Sequence, residues 1–141
     1  MNQPTAAELQ TLFRRAKTIA VVGLSNDRTR PSNGIARYLQ RSGFRVIPVN
    51  PALTEVLGEK SYPSLLDIPE SVDIVDVFRR PEAVPEIARQ AGQIGAQCLW
   101  MQLGVANAEA AGIASTAGLI VVEDRCIMIE HMRLSQAGPT V

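Results

Sequence analysis

The sequence predicts an α/β protein whose mostly parallel sheet is covered by helices on both faces. Short, apolar, β-branched runs alternate with amphipathic helical segments at the spacing of strand–helix–strand units. The 141 residues are about enough for one domain, and neither a linker nor a repeat divides them. We therefore expect a single domain over residues 1–141 with a Rossmann-like architecture, and an N-terminal helix over residues 1–16 that packs on it.

The first third of the chain is predicted to form helix, strand, helix and strand. Thr5 and Glu8 form a capping box, and apolar residues follow them at helical spacing. Residues 18–23 are almost wholly apolar and end in glycine, which is typical of a strand buried on both faces. A second helix comes next, and then a strand over Arg45–Val49, where Pro48 is unusual because proline cannot donate to a sheet ladder.

The rest of the chain continues the alternation. Pro81 is expected to open one helix, and Asn107 to cap an Ala-rich one. Right-handed crossovers favour the strand order 3-2-1-4-5-6, in which the third strand is short and weak. The four strands predicted after the second one cover residues 59–62, 73–78, 97–102 and 119–123.

Charge and composition exclude several classes of function. The 14 basic and 14 acidic residues cancel, whereas general nucleic-acid and membrane-surface binders need an excess of Lys and Arg. One histidine and two cysteines, Cys98 and Cys126, are too few for a zinc site, so we expect no metal. The N-terminus lacks the features of a signal peptide, and no apolar run approaches membrane-spanning length. We expect a cytoplasmic protein.

The carboxyl ends of the strands are where a sheet of this kind binds ligands. Gly23, Ser25 and Ser32 follow the first strand, and helix N-termini and guanidinium groups at such an edge bind phosphate. Cations placed before Pro81 oppose the helix dipole, which favours a ligand role for them over a solvated one. The edge therefore predicts a phosphate-rich ligand. The arginines that collect there are Arg28, for which a solvated position stays open, and Arg30, Arg79 and Arg80.

The glycines do not match the dinucleotide-binding fingerprint. Ten residues separate Gly23 from Gly34, whereas the fingerprint packs its three glycines into six residues. Asn50 stands where an NAD site expects an acidic residue after the second strand. NAD is therefore disfavoured, and NADP stays open because arginines can bind its extra phosphate. A P-loop is excluded because no Gly-Lys-Ser or Gly-Lys-Thr occurs.

Catalytic candidates are few. Ser25 lacks the second glycine of a nucleophile elbow, and His131 is a lone histidine near the C-terminus, which is more typical of a structural or solvated position. Asp73 and Asp76 lie three apart on a predicted strand and so point to opposite faces. Residues 124–125, after the last strand, form either a ligand contact or an internal ion pair. We predict no catalytic site.

Four motifs follow one another along residues 18–134. They are Val-Val-Gly-Leu-Ser with a downstream Arg-Pro-Ser, Val-Ile-Pro-Val-Asn-Pro, Val-Asp-Val-Phe-Arg-Arg-Pro-Glu, and Leu-Trp-Met-Gln-Leu-Gly. Together they resemble the small bacterial and archaeal CoA-binding proteins, which are similar to the N-terminal CoA-binding domain of the succinyl-CoA synthetase α subunit.

The resemblance implies that coenzyme A or an acyl-CoA is held along the carboxyl edge of the sheet. It also implies a role for each of several positions. The implied ligand residues are Gly23, Ser25, Arg30 and Ser32 around phosphate, Asn50 and Pro51 at the nucleotide, Phe78, Arg79 and Arg80 on the far side, and Gln102 and Gly104 near the pantetheine arm.

The resulting functional hypothesis is a non-catalytic module that binds CoA as a carrier, sensor or regulatory partner. The synthetase carries its phosphorylated histidine in a second domain and needs a partner subunit, so we expect no ligase activity from this chain. The alternatives are a small NADP-dependent reductase or other nucleotide-using enzyme, and an interaction domain whose pocket is a relic. The acyl group, the oligomeric state and any protein partner stay open.

Overall fold

A computed structural model describes residues 3–136, so the first two and last five residues of the predicted domain lie outside the described part. The helices and strands alternate as predicted, with short 3₁₀ turns at Leu65–Asp67 and Pro81–Ala83. The helices are α1 (Ala6–Arg15), α2 (Pro31–Arg41), α3 (Val84–Gln93), α4 (Ala108–Thr116) and α5 (Ile127–Gln136). The strands are β1 (Thr18–Val22), β2 (Arg45–Val49), β3 (Glu55–Val56), β4 (Glu59–Lys60), β5 (Ile74–Val77), β6 (Cys98–Met101) and β7 (Ile120–Val122).

A five-stranded parallel sheet in the order β2-β1-β5-β6-β7 forms the centre of the protein. This arrangement confirms the predicted α/β, Rossmann-like class. The order reverses at β1, which pairs with β2 on one side and with β5 on the other. The loops that follow these three strands therefore meet at the topological switch point, where open sheets of this class bind ligands.

The weak third strand predicted over residues 59–62 is confirmed only in part, because residues 59–60 form a strand that is not part of the main sheet. Glu59–Lys60 instead pairs antiparallel with Glu55–Val56 in a separate hairpin, and Tyr62 makes one isolated parallel bridge to Val49. The hairpin turns through Leu57 and Gly58, both with positive φ. Because Glu59 and Lys60 pair within the hairpin, the ladder beside β2 is limited to the bridge at Tyr62.

Pro48 lies in β2, at the edge of the sheet, where a missing N–H costs no ladder bond. Its carbonyl faces outward and accepts a hydrogen bond from the Tyr62 N–H at 3.0 Å. The neighbouring carbonyl of Val49 points the other way and accepts from the Gly23 N–H at 2.8 Å. The alternation of the strand thus accommodates the proline and ties the end of β2 to the end of β1.

Helices cover both faces of the sheet, as predicted. One apolar cluster joins the sheet to α3 and α4, and the other joins it to α1, α2 and α5. The predicted caps are confirmed: Thr5 and Glu8 form the capping box of α1, and the Asn107 side chain accepts from the Ala110 N–H at 2.8 Å. Helix α3 begins at Val84, because a 3₁₀ turn follows Pro81.

Helix α5 is an element that the sequence did not predict. No Ser, Thr, Asp or Asn of its own caps it. The side-chain oxygen of the buried Gln102 accepts the Ile127 N–H at 2.9 Å, across 25 residues of sequence. Local capping signals cannot reveal a cap of this kind. Among residues 3–136, no helix is long and apolar enough to cross a membrane.

Candidate functional site

Gly23, at the end of β1, brings three strand ends into backbone contact. Its φ is +87°, and a Cβ at this position would lie 2.3 Å from the carbonyl oxygen of Phe78, the residue that follows β5. The Phe78 N–H in turn donates to the Val22 carbonyl at 2.8 Å. Only glycine permits both this conformation and this approach. The glycine that the motif predicted is therefore a requirement of the geometry.

A cavity of about 350 Å³ opens at the N-terminus of α2, and we call it the α2 cavity. The helix that points into it is eleven residues long and has no acidic residue in its first turn. Its positive end is therefore not neutralised from within the helix, and it favours an anion. The residues that line the α2 cavity are Gly23, Ser25, Arg30, Pro31, Ser32 and Phe78.

The loop between β1 and α2 is held by side chains within it. The Ser32 hydroxyl accepts from the Ser25 N–H at 3.0 Å, and the Ser25 hydroxyl accepts from the Asp27 N–H at 3.0 Å. Asp27 accepts from the N–H and hydroxyl of Thr29, and these bonds lower the pKa of its carboxyl. The loop is thus shaped before any ligand enters.

Asn33 is a residue of this site that the sequence analysis missed. Its side chain is buried, its Nδ2 donates to the Ser25 carbonyl at 2.9 Å, and its Oδ1 accepts from Arg37 Nε at 3.0 Å. The signal that could have found it is its place on the same buried face as Ile35 and Ala36, where an apolar side chain is the rule. Asn33 fixes the loop against the helix.

A second cavity, of about 310 Å³, lies on the other side of the strand ends, and we call it the α3 cavity. Most of its lining residues are apolar and come from β1, β2, α3 and the loops and 3₁₀ turns that precede α3, with a polar edge made by Ser64, Glu86 and Gln90. The Ser64 hydroxyl donates to the Gln90 side chain at 3.2 Å. The remaining residues that line it are Val22, Val49, Pro51, Pro63, Leu65, Arg79, Ala83 and Ile87.

The two cavities share one wall. Val22 lines the α3 cavity and the next residue, Gly23, lines the α2 cavity. Likewise, Phe78 lines the α2 cavity and the next residue, Arg79, lines the α3 cavity. The stem of Arg79 packs over Gly23: a Cβ on that glycine would lie 3.1 Å from Arg79 Cδ. A ligand with two differently shaped parts can therefore occupy both cavities across a thin backbone wall.

The four arginines predicted at this edge are all exposed, and none forms an ion pair within residues 3–136. Arg30 lines the α2 cavity and Arg79 lines the α3 cavity. Arg80 precedes the 3₁₀ turn at Pro81, and the carbonyl of Arg28 accepts from Arg37 at 3.4 Å. Arg28 and Arg80 line neither of these two cavities.

Of the other predicted ligand residues, one lines a cavity and three form hydrogen bonds within the protein. Pro51 lines the α3 cavity, whereas Asn50 joins two loops: its Nδ2 donates to the Leu24 carbonyl at 3.1 Å and its Oδ1 accepts from the Ala52 N–H. Gln102 is occupied as the cap of α5, and the Gly104 N–H donates to Asp124 at 2.7 Å. A contact of Gln102 or Gly104 with ligand stays a prediction.

The residues weighed for catalysis do not come together with a base. His131 is packed among the rings of Phe13, Tyr38 and Phe44; its Nδ1 lies 2.6 Å from the Tyr38 hydroxyl, and burial lowers its pKa. Arg125 pairs with Glu130, so the ion-pair alternative for it is confirmed. Within residues 3–136, no group of three His, Cys, Asp or Glu side chains could hold a metal ion.

Asp76 is a buried acid whose surroundings are apolar. It is fully buried in β5, level with Val21 of β1 and Trp100 of β6, and neither carboxylate oxygen has a hydrogen-bond partner within residues 3–136. Burial raises the pKa of Asp76 well above the usual range. The pKa of the Cys98 thiol is also raised, first by its own burial and then by the nearby Asp76. Asp76 lines neither cavity, so we assign it no role in ligand binding and treat it as a buried residue of the core.

Comparison with known proteins adds to this geometry. A family model described as "CoA binding domain" matches residues 17–132. The chain is 40% identical over 131 residues to the uncharacterized protein YneT of Bacillus subtilis, covering 93% of this chain and 97% of that protein. The structure of a hypothetical protein from Pyrococcus horikoshii matches with a TM-score of 0.92 and 41% identity, covering 96% of this chain and 97% of that one.

A longer relative contains a similar segment. The chain is 37% identical over 93 residues to an ADP-forming acetate–CoA ligase of Archaeoglobus fulgidus. The match covers 64% of this chain and only 14% of the ligase.

Proposed function

This chain belongs to the CoA-binding domain family, and we propose that it binds coenzyme A or an acyl-CoA across the wall between its α2 and α3 cavities. The family match confirms the resemblance that the four motifs predicted. Binding itself, the ligand's placement and the non-catalytic role are our proposals.

The observation that carries the proposal is the pair of cavities on either side of Gly23 and Phe78. The α2 cavity ends on a helix N-terminus and is lined by two serines and an arginine, and most of the residues that line the α3 cavity are apolar. The nucleotide half of CoA has the same division, with a pyrophosphate at one end and an adenine ring at the other. The thin wall between Val22 and Gly23 allows one ribose to span the two.

The pyrophosphate fits the α2 cavity. Arg30 and the first residues of α2 line it, and the loop before α2 is already fixed by Ser32 and Asn33. Charge-assisted hydrogen bonds from a guanidinium are among the stronger polar contacts in proteins. Preformed loops add affinity because less conformational entropy is lost on binding.

The adenine fits the α3 cavity, where apolar side chains can cover its faces and the Ser64–Gln90 edge can meet its polar rim. The pantetheine arm then leaves along the carboxyl edge of the sheet past Phe78 towards the loop at Gln102 and Gly104. Leu103, in that loop, is 61% exposed, and an apolar side chain there gives the arm or an acyl group a surface to contact.

We propose a binding module without catalysis of its own, because the polar groups around both cavities are arranged to bind and no nucleophile is paired with a base there. The two hydroxyls of the α2 cavity both accept backbone hydrogen bonds, Ser25 from the Asp27 N–H and Ser32 from the Ser25 N–H. His131, the one histidine, lies in the aromatic cluster on α5.

Thermal unfolding with a panel of nucleotides tests the proposal. A ligand that binds only the folded state raises the melting temperature by mass action, so CoA and acetyl-CoA should raise it and NAD should not. A turnover assay with NADPH and carbonyl substrates separates the module from the small reductase. Equal shifts from CoA and NAD, or NADPH-dependent turnover, would contradict the proposal.

A further inference from the structure

Arg79 occupies the boundary between the two cavities. Its stem lies over Gly23, which lines the α2 cavity, while the residue itself lines the α3 cavity. The other arginine among the lining residues of the two cavities is Arg30, the N-cap of α2, which lines the α2 cavity. The two guanidinium groups therefore serve different parts of the site.

The charge of Arg79 is available to a ligand. Arg79 is exposed, and within residues 3–136 it forms no ion pair or side-chain hydrogen bond. The acidic residue among those that line the α3 cavity is Glu86, and Glu86 is already paired with Arg89 at 2.9 Å. Packing of the stem against the glycine limits the positions of the head without neutralising it.

The chemistry of CoA indicates which of its groups would contact the Arg79 guanidinium. If the pyrophosphate lies in the α2 cavity and the adenine in the α3 cavity, the ribose must cross the wall between them. In CoA that ribose carries a 3′-phosphate, a monoester with close to two negative charges near neutral pH. NAD and 3′-dephospho-CoA carry only a hydroxyl there. A planar, unpaired guanidinium at the wall matches the monoester by bidentate hydrogen bonds.

We propose that Arg79 recognises the ribose 3′-phosphate and is the residue by which this protein distinguishes CoA from 3′-dephospho-CoA. The inference rests on the proposed function, since it assumes that the nucleotide spans the wall. Arg30 then contributes to every ligand with a pyrophosphate, whereas Arg79 contributes only to those with the third phosphate.

Calorimetric titration of CoA and of 3′-dephospho-CoA into the wild type and its variants tests the proposal. The wild type should bind CoA at least about tenfold more tightly than 3′-dephospho-CoA, as expected for a charge-assisted contact. Arg79→Gln should weaken CoA by about ten- to a hundredfold and change 3′-dephospho-CoA by less than about threefold, which removes the preference. Arg79→Lys, which keeps the positive charge but cannot form the paired hydrogen bonds of a guanidinium, should restore part of the preference for CoA.

Two further variants make the result specific. Arg30→Gln should weaken both ligands by similar factors and leave their ratio intact. Arg41→Gln, at the exposed far end of α2, removes the same charge away from both cavities and should change neither ligand. Melting temperatures of the unliganded variants verify that each is folded.

The outcomes separate this inference from the function on which it rests. A wild type that binds both ligands equally, or an Arg79→Gln variant that weakens both by the same factor, would overturn the assignment of Arg79 and leave CoA binding standing. A wild type that binds neither ligand would overturn both proposals.

Discussion

A side chain on Gly23 would collide with Phe78: its Cβ would lie 2.3 Å from that residue's carbonyl oxygen. The wall between the two cavities is therefore backbone packed directly on backbone, between the ends of β1 and β5. In the proposed function one nucleotide crosses that wall to reach both cavities, so this contact links the fold to the proposal.

Gly23→Ala should destabilise the protein and abolish CoA binding, since it adds both the strain of a positive φ and the collision with Phe78. Gly43→Ala is the matched control, because Gly43 also has a positive φ, +98°, but an added Cβ there would meet nothing within 4 Å. The control should cost only the strain, about 1–2 kcal/mol in the free energy of unfolding. Urea unfolding of the two variants measures the difference, and equal losses would contradict the close approach.

Arg30→Ala should weaken CoA binding by about ten- to a hundredfold, because a charge-assisted contact to phosphate is worth roughly 1.5–3 kcal/mol. The unliganded fold should stay nearly as stable, since Arg30 is exposed and makes no side-chain cap on α2. Arg30→Lys should recover part of the affinity. Titration calorimetry with parallel melting curves decides this, and unchanged affinity in Arg30→Ala would move the phosphate site elsewhere.

Asp76→Asn should stabilise the protein more at higher pH. The pKa of Asp76 is raised in the folded state above the value of about 3.9 of an unfolded aspartate. Its stabilising contribution is therefore complete below that value and is lost as pH rises towards the folded pKa. The free energy of unfolding of the variant, relative to wild type, should grow between about pH 5 and about pH 8.

Asp73→Asn is the control for that experiment. The Asp73 carboxylate accepts from the Lys17 and Thr18 N–H groups at 2.8 and 3.0 Å, so its loss should destabilise the protein. If Asp76→Asn were as destabilising as Asp73→Asn, or if its effect did not change with pH, Asp76 would have a polar partner and the account of its burial would fail.

His131 should titrate below the value of about 6.5 of a free histidine, since burial among aromatic rings lowers its pKa. With a lowered folded pKa, its contribution to stability is complete above about pH 6.5 and is lost as pH falls through that value towards the folded pKa. It is the single histidine of the chain, so the proton NMR signals of its ring report on it without overlap. A midpoint at or above about 6.5 would contradict the packing of α5 against Phe13 and Phe44.

Much of the fold followed from local pattern. Apolar runs such as residues 18–23 and the caps at Thr5 and Asn107 are short-range signals, and the structure confirms them. The pairing of the third strand was predicted only in part and α5 was not predicted, because both depend on distant partners. Tyr62 pairs with Val49 only once β2 is placed, and α5 takes its cap from Gln102.

The site, like the fold, was predictable only where its residues give short-range signals in the sequence. The chemistry of Gly23 and of the arginines is visible in sequence, since glycine permits close backbone approach and guanidinium groups at strand ends can bind phosphate. The buried role of Asn33 is not, because it depends on the Ser25 carbonyl lying opposite it in the folded loop. The sequence also could not show that the predicted residues divide between two cavities, a property of how three strand ends meet.

Titration of CoA into ¹⁵N-labelled protein, followed by amide NMR shifts, tests the central claim most directly. We expect saturable shifts concentrated in four backbone segments, at residues 22–34, 49–53, 63–65 and 78–90, which surround the two cavities. Ala7 and Ile120, at the opposite edge beside α1 and β7, serve as internal references that should not move. No saturable shift with CoA, or shifts confined to the α1–β7 edge, would contradict the account.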